Sequence, residues 1–350
     1  MFPIIPANTA TASFPENDEG IFGYGSSYTA VTNLVSNAGV VSSDVAGVGT
    51  ARFNLAACEY GGDKGIFGFG YDHGGVSMTN LVSNAGVVAS DVAAAGTARR
   101  DLGACEYGGD KGIFGFGNTG SVVSITNLVS NAGVVASDQA ATTGTARRML
   151  AACSYGGDKG IFGFGNLLFS GYTSSGLTNL VSNAGVVASD VAAVGTARRQ
   201  LAACEYGGDK GIFGFGKTAS ALSITNLVSN TGVVASDQAA TTGTARSNMA
   251  ACSYGGDKGI FGYGTGYNGE TNLVSNTGVV ASDAAAVGTG RSELAACEYG
   301  QDKGIFGYGH DGYTGRVSIT NLVSNAGVVA SDQAATTGTA RWNPGACSFN

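Results

Sequence analysis

Residues 211–216 read Gly-Ile-Phe-Gly-Phe-Gly, and the same six positions, as GIFGFG or GIFGYG, recur from Gly20, Gly65, Gly112, Gly160, Gly259 and Gly304. The seven copies are 45, 47, 48, 51, 48 and 45 residues apart. A period of this size marks a repeat architecture, in which units too small to hold a core of their own share one. Strand alternation places Phe213 and Phe215 on one face and Ile212, Gly214 and Gly216 on the other. One face is bulky and the other notched, so the aromatics of one sheet are expected to settle over the glycines of the next.

Working outward from Gly211, the preceding stretch Leu201 to Tyr206 alternates and ends in Gly207-Gly208-Asp209-Lys210, which predicts a hairpin. After the motif come a variable segment, then Thr225 to Asn230 as a third strand and Gly232 to Ser236 as a fourth, separated by an Asn-Thr-Gly turn. An alternative is a helix over 188–204, where Asp190 suits an N-cap and alanine is frequent. Gly195, and Thr-Thr-Gly at 142–144, 241–243 and 336–338, disfavour it. The prediction is four antiparallel strands per unit, with a mixed strand-and-helix solenoid as the alternative.

The first GIFGYG has no LAAC-type strand before it, and residues 341–350 match only that strand. The C-terminal piece therefore supplies what the N-terminal unit lacks, and the expected fold is an all-β, seven-bladed β-propeller spanning residues 20–350, closed by a composite blade. Residues 1–19 carry Pro3, Pro6 and Pro15 and are expected to form an extended arm.

The order R-x-x-LAAC-(E/S)YGGDKGIFGFG, TNLVSN, GVVASD and GTAR resembles a divergent kelch repeat, whose rings are often closed by a C-terminal first strand. In its GIFGYG/TNLVSN/GTAR form it is also similar to repeat proteins of bacteriophage and environmental viral sequences. That resemblance implies a propeller acting as a structural or interaction module, and a virion as one setting.

Charge excludes some functions. The chain has 59 glycines in 350 residues, 12 % charged residues and a net charge of −7. An acidic chain without clustered Lys and Arg is not built for nucleic acid. The 43 % hydrophobic content argues for an ordered core rather than disorder. The N-terminal residues show neither a basic n-region nor a long apolar run, so neither Sec export nor membrane insertion is expected. A virion component released by lysis would also lack a signal; a cytoplasmic setting is the alternative. The seven cysteines, Cys58, Cys105, Cys153, Cys204, Cys252, Cys297 and Cys347, fall one per unit. Neighbouring copies about 10 Å apart are beyond disulfide reach, and they read as small buried hydrophobes.

In an antiparallel blade the 2-3 and 4-1 connections share one face of the disc. That face is expected to collect Arg52, Arg99, Arg147, Arg198, Arg246, Arg291 and Arg341 of the GTAR motif, in a structural role, together with every segment that differs between repeats. Within those segments Tyr28, Tyr71, Asp72, His73, Phe169, Tyr172, Tyr267, Asn268, His310, Asp311 and Tyr313 are the candidates for contact with a sugar or a protein surface. Only His73 and His310 are present as histidines, no Ser/His/Asp set repeats, and no metal-ligand spacing occurs, so neither catalysis nor a metal or cofactor is expected. Asp44, Asp91, Asp138, Asp190, Asp237, Asp283 and Asp332 supply one carboxylate per unit, too few for Ca²⁺, and are read as turn acceptors. The leading expectation is a non-enzymatic structural or adhesive propeller of a virion or extracellular assembly, with other assembly subunits or a host-surface glycan as partner. An intracellular kelch-like interaction scaffold is second and a glycan-active propeller enzyme third. The oligomeric state is not legible.

Overall fold

The computed structural model of the chain describes residues 18–93, 96–139, 144–238, 243–333 and 338–349. Among them there is no helix: seven three-stranded antiparallel sheets follow one another. They form a seven-bladed β-propeller. The proposed arm lies outside the described residues up to position 17.

One blade serves for all. The inner strand Ala202–Tyr206 turns at Gly207 and Gly208, with φ of 65° and 73°, into the middle strand Lys210–Gly214. That left-handed pair favours two glycines, although Gln301 takes the second position at φ 68° in one blade. Asp209 accepts from Lys210 Nζ at 2.8 Å and from Asn230 Nδ2 at 2.9 Å, fixing the turn to the neighbouring Asn-Thr-Gly turn. Register runs Ala202↔Gly214, Cys204↔Ile212, Tyr206↔Lys210, and the outer strand Thr225–Val228 pairs with the other edge as Gly211↔Val228 and Gly214↔Thr225.

The expected fourth strand is reduced to isolated bridges, such as Val228↔Val234 here and Thr178↔Val191 in the preceding unit. The physical reason is the aspartate that follows. Asp237 is drawn in to accept from Asn226 Nδ2 at 3.0 Å, from the Thr196 N–H at 2.9 Å and from the Thr196 hydroxyl at 2.7 Å. The chain therefore crosses the outer strand instead of running along it. The stretch 188–204 that carried the helical alternative contains Thr196 of this clamp and no helix.

Packing between blades depends on the motif, but not with both rings on one face. Phe213 points back to the preceding blade, where its ring meets Phe164 edge-on at 5.3 Å. Phe215 points forward and meets Phe261 of the next blade at 5.3 Å. The second aromatic escapes strand alternation because its backbone is left-handed, φ 61°, which turns the side chain to the Ile212 side. The glycines take the rings as expected: a Cβ on Gly163 would lie 2.6 Å from Cζ of Phe213, and one on Gly211 would lie 2.8 Å from Sγ of Cys153 in the preceding blade. Each buried, unpaired cysteine thus fits against the first motif glycine of the following blade.

The ring closes through strand pairing. Glu19–Gly23 pairs with Gly345–Phe349 in the register Ile21↔Cys347 and Gly23↔Gly345, and the Thr339 N–H donates to Asp44 at 2.9 Å across 295 residues of sequence. The last strand is the inner strand of the first blade.

Gly163→Ala is expected to lower stability by about 1–3 kcal/mol, because the added methyl overlaps a ring that neither blade can release. Gly74→Ala, where the nearest atom to the new Cβ is the Asp72 carbonyl oxygen at 4.0 Å, should be close to neutral. Denaturant midpoints of the two variants check this contrast.

Candidate functional site

Between each GTAR arginine and its inner strand lie two residues that differ from repeat to repeat. The second of them has a left-handed backbone in every blade: Asn54 (φ 53°), Asp101 (56°), Met149 (55°), Gln200 (53°), Asn248 (53°), Glu293 (56°) and Asn343 (46°). Glycine would adopt this conformation without strain, yet all seven carry side chains. Backbone hydrogen bonds hand the chain from blade to blade: Asp101 N–H to Asn54 O (3.2 Å), Met149 to Asp101 (3.0 Å), Gln200 to Met149 (3.0 Å), Asn248 to Gln200 (3.0 Å), Glu293 to Asn248 (2.8 Å) and Asn343 to Glu293 (2.7 Å). The Asn343 amide donates to Asn54 Oδ1 at 2.8 Å and completes the circle.

These seven side chains line a depression of about 340 Å³ at the mouth of the ring, over Leu55, Leu102, Leu150, Leu294 and Pro344. Oε1 of Gln200 and Oε2 of Glu293 are buried there without a hydrogen-bond partner. Burial raises the Glu293 carboxyl above its ordinary 4.5, opposed by the charges of His310 and Lys217. Asp101 is held by Arg148 Nη1 at 3.1 Å. The mouth therefore offers amides, a held carboxylate and a desolvated carboxyl over an apolar floor, a set that suits the hydroxyls and the apolar face of a sugar.

Beneath the mouth the inner strands line a central channel ringed in order by Glu59, Glu106, Ser154, Glu205, Ser253, Glu298 and Ser348. Burial, followed by Glu106, Glu298 and Glu205, pushes the Glu59 carboxyl well above its ordinary range. Burial, then Asp110, takes Glu106 to about 7, and burial, then Glu298 and Glu106, takes Glu205 to about 7. Among the described residues no three His, Cys, Asp or Glu are grouped as a metal ion would need.

The repeated arginines are not displayed on the variable face. All seven are fully buried between blades. Arg198 donates through Nε to Phe215 O (2.7 Å) and through Nη1 to Thr196 O (3.2 Å), and its guanidinium lies 4.0 Å over the Phe164 ring of the preceding blade. Asp237 stands 3.9 Å away. Buried charge is tolerable here because carbonyls, a ring face and a carboxylate surround it.

The contact candidates fall into three sectors around the mouth. Tyr28 stacks on His73 at 4.5 Å and 12° and meets Phe53 edge-on, Phe53 meets Tyr71, and Arg100 covers the Tyr71 ring at 4.1 Å. Asp72 lies 3.8 Å from His73. In the second sector Arg199 lies 4.0 Å over Tyr172, and Arg148 reaches Phe169 and donates to its carbonyl at 2.9 Å. In the third, Tyr267 meets His310 at 6.1 Å and Tyr313 at 6.5 Å, with His310 5.2 Å from Trp342. Asn268 is exposed beside Tyr267. Asp311 is turned inward: it accepts from the N–H groups of Tyr313, Thr314 and Gly315 and from the Thr314 hydroxyl. Burial opposes its ionisation, but these donors outweigh it and bring its carboxyl to about 2, so it shapes the loop.

Sequence reading passed over the left-handed ring and its neighbours Phe53, Arg100, Arg148, Arg199 and Trp342. The available signal was their variation at the two placeholders of R-x-x-LAAC, inside otherwise near-identical repeats.

No family model matches the chain, and no curated protein sequence matches it. The kelch-like and viral resemblances thus lack support from sequence comparison, whereas the repeat propeller has it from structure. Among solved structures 233 chains match. One is the structure of YjhT, with a TM-score of 0.59 and 12 % identity, covering 81 % of this chain and 97 % of that one. The likeness is one of fold.

The expectation that the chain is not an enzyme is overturned here. It rested on uniform blades, on the lack of a catalytic set and on the viral-type resemblance. The match with YjhT removes the first ground, because one propeller architecture can carry catalysis as well as binding. On the second, the mouth brings together charged groups, Asp101 and Glu293, from positions that vary between repeats.

The channel carboxyls set a pH dependence. Folded Glu106 and Glu205 hold protons up to about 7, whereas the unfolded chain releases them near 4.5. Folding therefore takes up protons between those limits, and the stability present below pH 4.5 is lost as pH rises through 7. The melting temperature should be about 5 °C lower at pH 8 than at pH 5, and the double variant E106Q/E205Q should flatten that profile in calorimetry.

Proposed function

We propose that this chain is a carbohydrate-binding propeller that takes its ligand at the mouth of the ring. The observation that carries this reading is the circle of seven left-handed residues, most of them amides or carboxylates, whose side chains are aimed at one depression by a backbone that strain would otherwise disfavour. The second motif aromatics are left-handed in every blade too, but they are taken up by blade packing, whereas this circle faces an open depression, where retained strain is a mark of a working site. Asn and Gln bind hydroxyls through donor and acceptor together, and the leucine floor accepts the apolar face of a pyranose.

The setting proposed is a virion or other extracellular assembly, in which the ring presents the mouth to a surface glycan and docks to further subunits elsewhere. The GIFGYG/TNLVSN/GTAR form, similar to viral repeat proteins, supports it. A second reading, a kelch-like scaffold for a protein partner, is favoured by the sector in which Arg148, Arg199, Phe169 and Tyr172 lie together, since arginine and aromatic residues dominate protein interfaces.

A glycan array probed with the purified chain separates these readings. Sugar binding should fall by about tenfold in Asn248→Gly and in Gln200→Gly, each of which keeps the left-handed backbone while removing a hydrogen-bonding group. Retained glycan binding in both variants would count against the mouth, and a soluble protein partner without any glycan signal would favour the scaffold.

A further inference from the structure

The three aromatic sectors are not equivalent. In the first, Tyr28 and His73 cover each other's faces, and in the second the arginines lie over Phe169 and Tyr172. In the third, His310, Trp342, Tyr267 and Tyr313 meet only at tilts of 35° to 57°, so none of these pairs closes ring face to face. Tyr313 is 90 % exposed and Tyr267 38 %. Nε1 of Trp342 is buried with no hydrogen-bond partner. The row is joined to the mouth at two points: Trp342 precedes Asn343 of the circle, and His310 exchanges backbone hydrogen bonds of 2.8 and 2.9 Å with Ser292, the neighbour of Glu293.

The repeats have been altered to seat this row. Six units read GTAR, but the unit at 288–291 reads Gly-Thr-Gly-Arg. A Cβ on Gly290 would lie 1.9 Å from the carbonyl oxygen of Tyr267 and 2.7 Å from the nitrogen of Asn268. The alanine used elsewhere would evict that loop. Gly312 does the same for the ring, since a Cβ there would lie 2.6 Å from Cε2 of Tyr267. Tyr267 is itself left-handed, at φ 53°, an unfavourable state for a tyrosine.

We propose that Trp342, His310, Tyr267 and Tyr313 form a stacking platform that extends the mouth outward over the composite blade and the two before it, so that the ligand is an oligosaccharide several units long. The inference rests on the carbohydrate reading above and adds chain length and direction to it. One sugar sits in the mouth on hydrogen bonds, and the following units lie over the ring faces.

Calorimetric titration of the intact chain with malto-, cello- and chito-oligosaccharides from one to six units tests it. The expected result is affinity rising more than tenfold from the single sugar to the tetramer of the series that binds. In Tyr313→Ala and Tyr267→Ala that gain should shrink to under threefold while the affinity for the single sugar stays unchanged. Gly290→Ala restores the motif of the other six units and should also abolish the gain by displacing the Tyr267 loop, with an unchanged circular dichroism spectrum checking that the blade folds. Equal affinity for one and four units, or equal losses for both in the three variants, would overturn the platform and leave the mouth standing. Failure of every series to bind the unaltered chain would overturn the carbohydrate reading and the platform with it.

Discussion

The contact on which the structure depends is a phenylalanine of one blade seated on a glycine of its neighbour. At Gly214 a Cβ would stand 2.5 Å from Cζ of Phe261, so the two middle strands approach as closely as a ring and a bare backbone allow. Rings buried edge-on in this way combine area burial with favourable quadrupole geometry. Because each middle strand offers a glycine forward and a phenylalanine backward, the contact propagates in one direction around the disc. It closes when Phe22 reaches Gly307.

The left-handed second aromatic couples this packing to the rest. Turning Phe215 forward brings its ring against Phe261 and under the guanidinium of Arg246 at 4.7 Å, just as Phe164 lies under Arg198. The same turn exposes the Phe215 carbonyl to Arg198 Nε. One residue thereby binds the next blade through its ring and its own blade's entering segment through its carbonyl. That segment, pinned at Arg198 and at Thr196 by Asp237, has little freedom left when it reaches Arg199 and Gln200. The rigidity explains how seven left-handed residues can be held at the axis. Repetition builds the frame, and departures from repetition build the site.

How much of this could be read in advance differs by element. The hairpin Leu201 to Gly214 was legible because turn chemistry and alternation are local, and Gly207-Gly208 admits few alternatives. Ring closure was legible because residues 345–349 match only an inner strand. The fourth strand was misread, since the clamp that withdraws Asp237 from the ladder joins Thr196 to Asn226, thirty residues apart. Phe215 was assigned to the wrong face because alternation assumes extended φ throughout, and nothing local announces a phenylalanine at 61°. The rim aromatics were recognised as a set, but which faces are covered depends on Arg148 and Arg199, which the motif reading left as placeholders.

The sequence by itself therefore determined the number of blades, the hairpin, the closing strand and the identity of the variable segments, all consequences of periodicity and of short-range backbone chemistry. Only the tertiary structure decided where the seven second placeholder residues meet, that Glu293 and Gln200 bury partnerless oxygens there, and that Gly290 makes room for Tyr267. The reason is geometric. The seven placeholder residues are about 45 or more positions apart along the chain, and each lies at an inner-strand entrance, so their proximity exists only once the ring is closed.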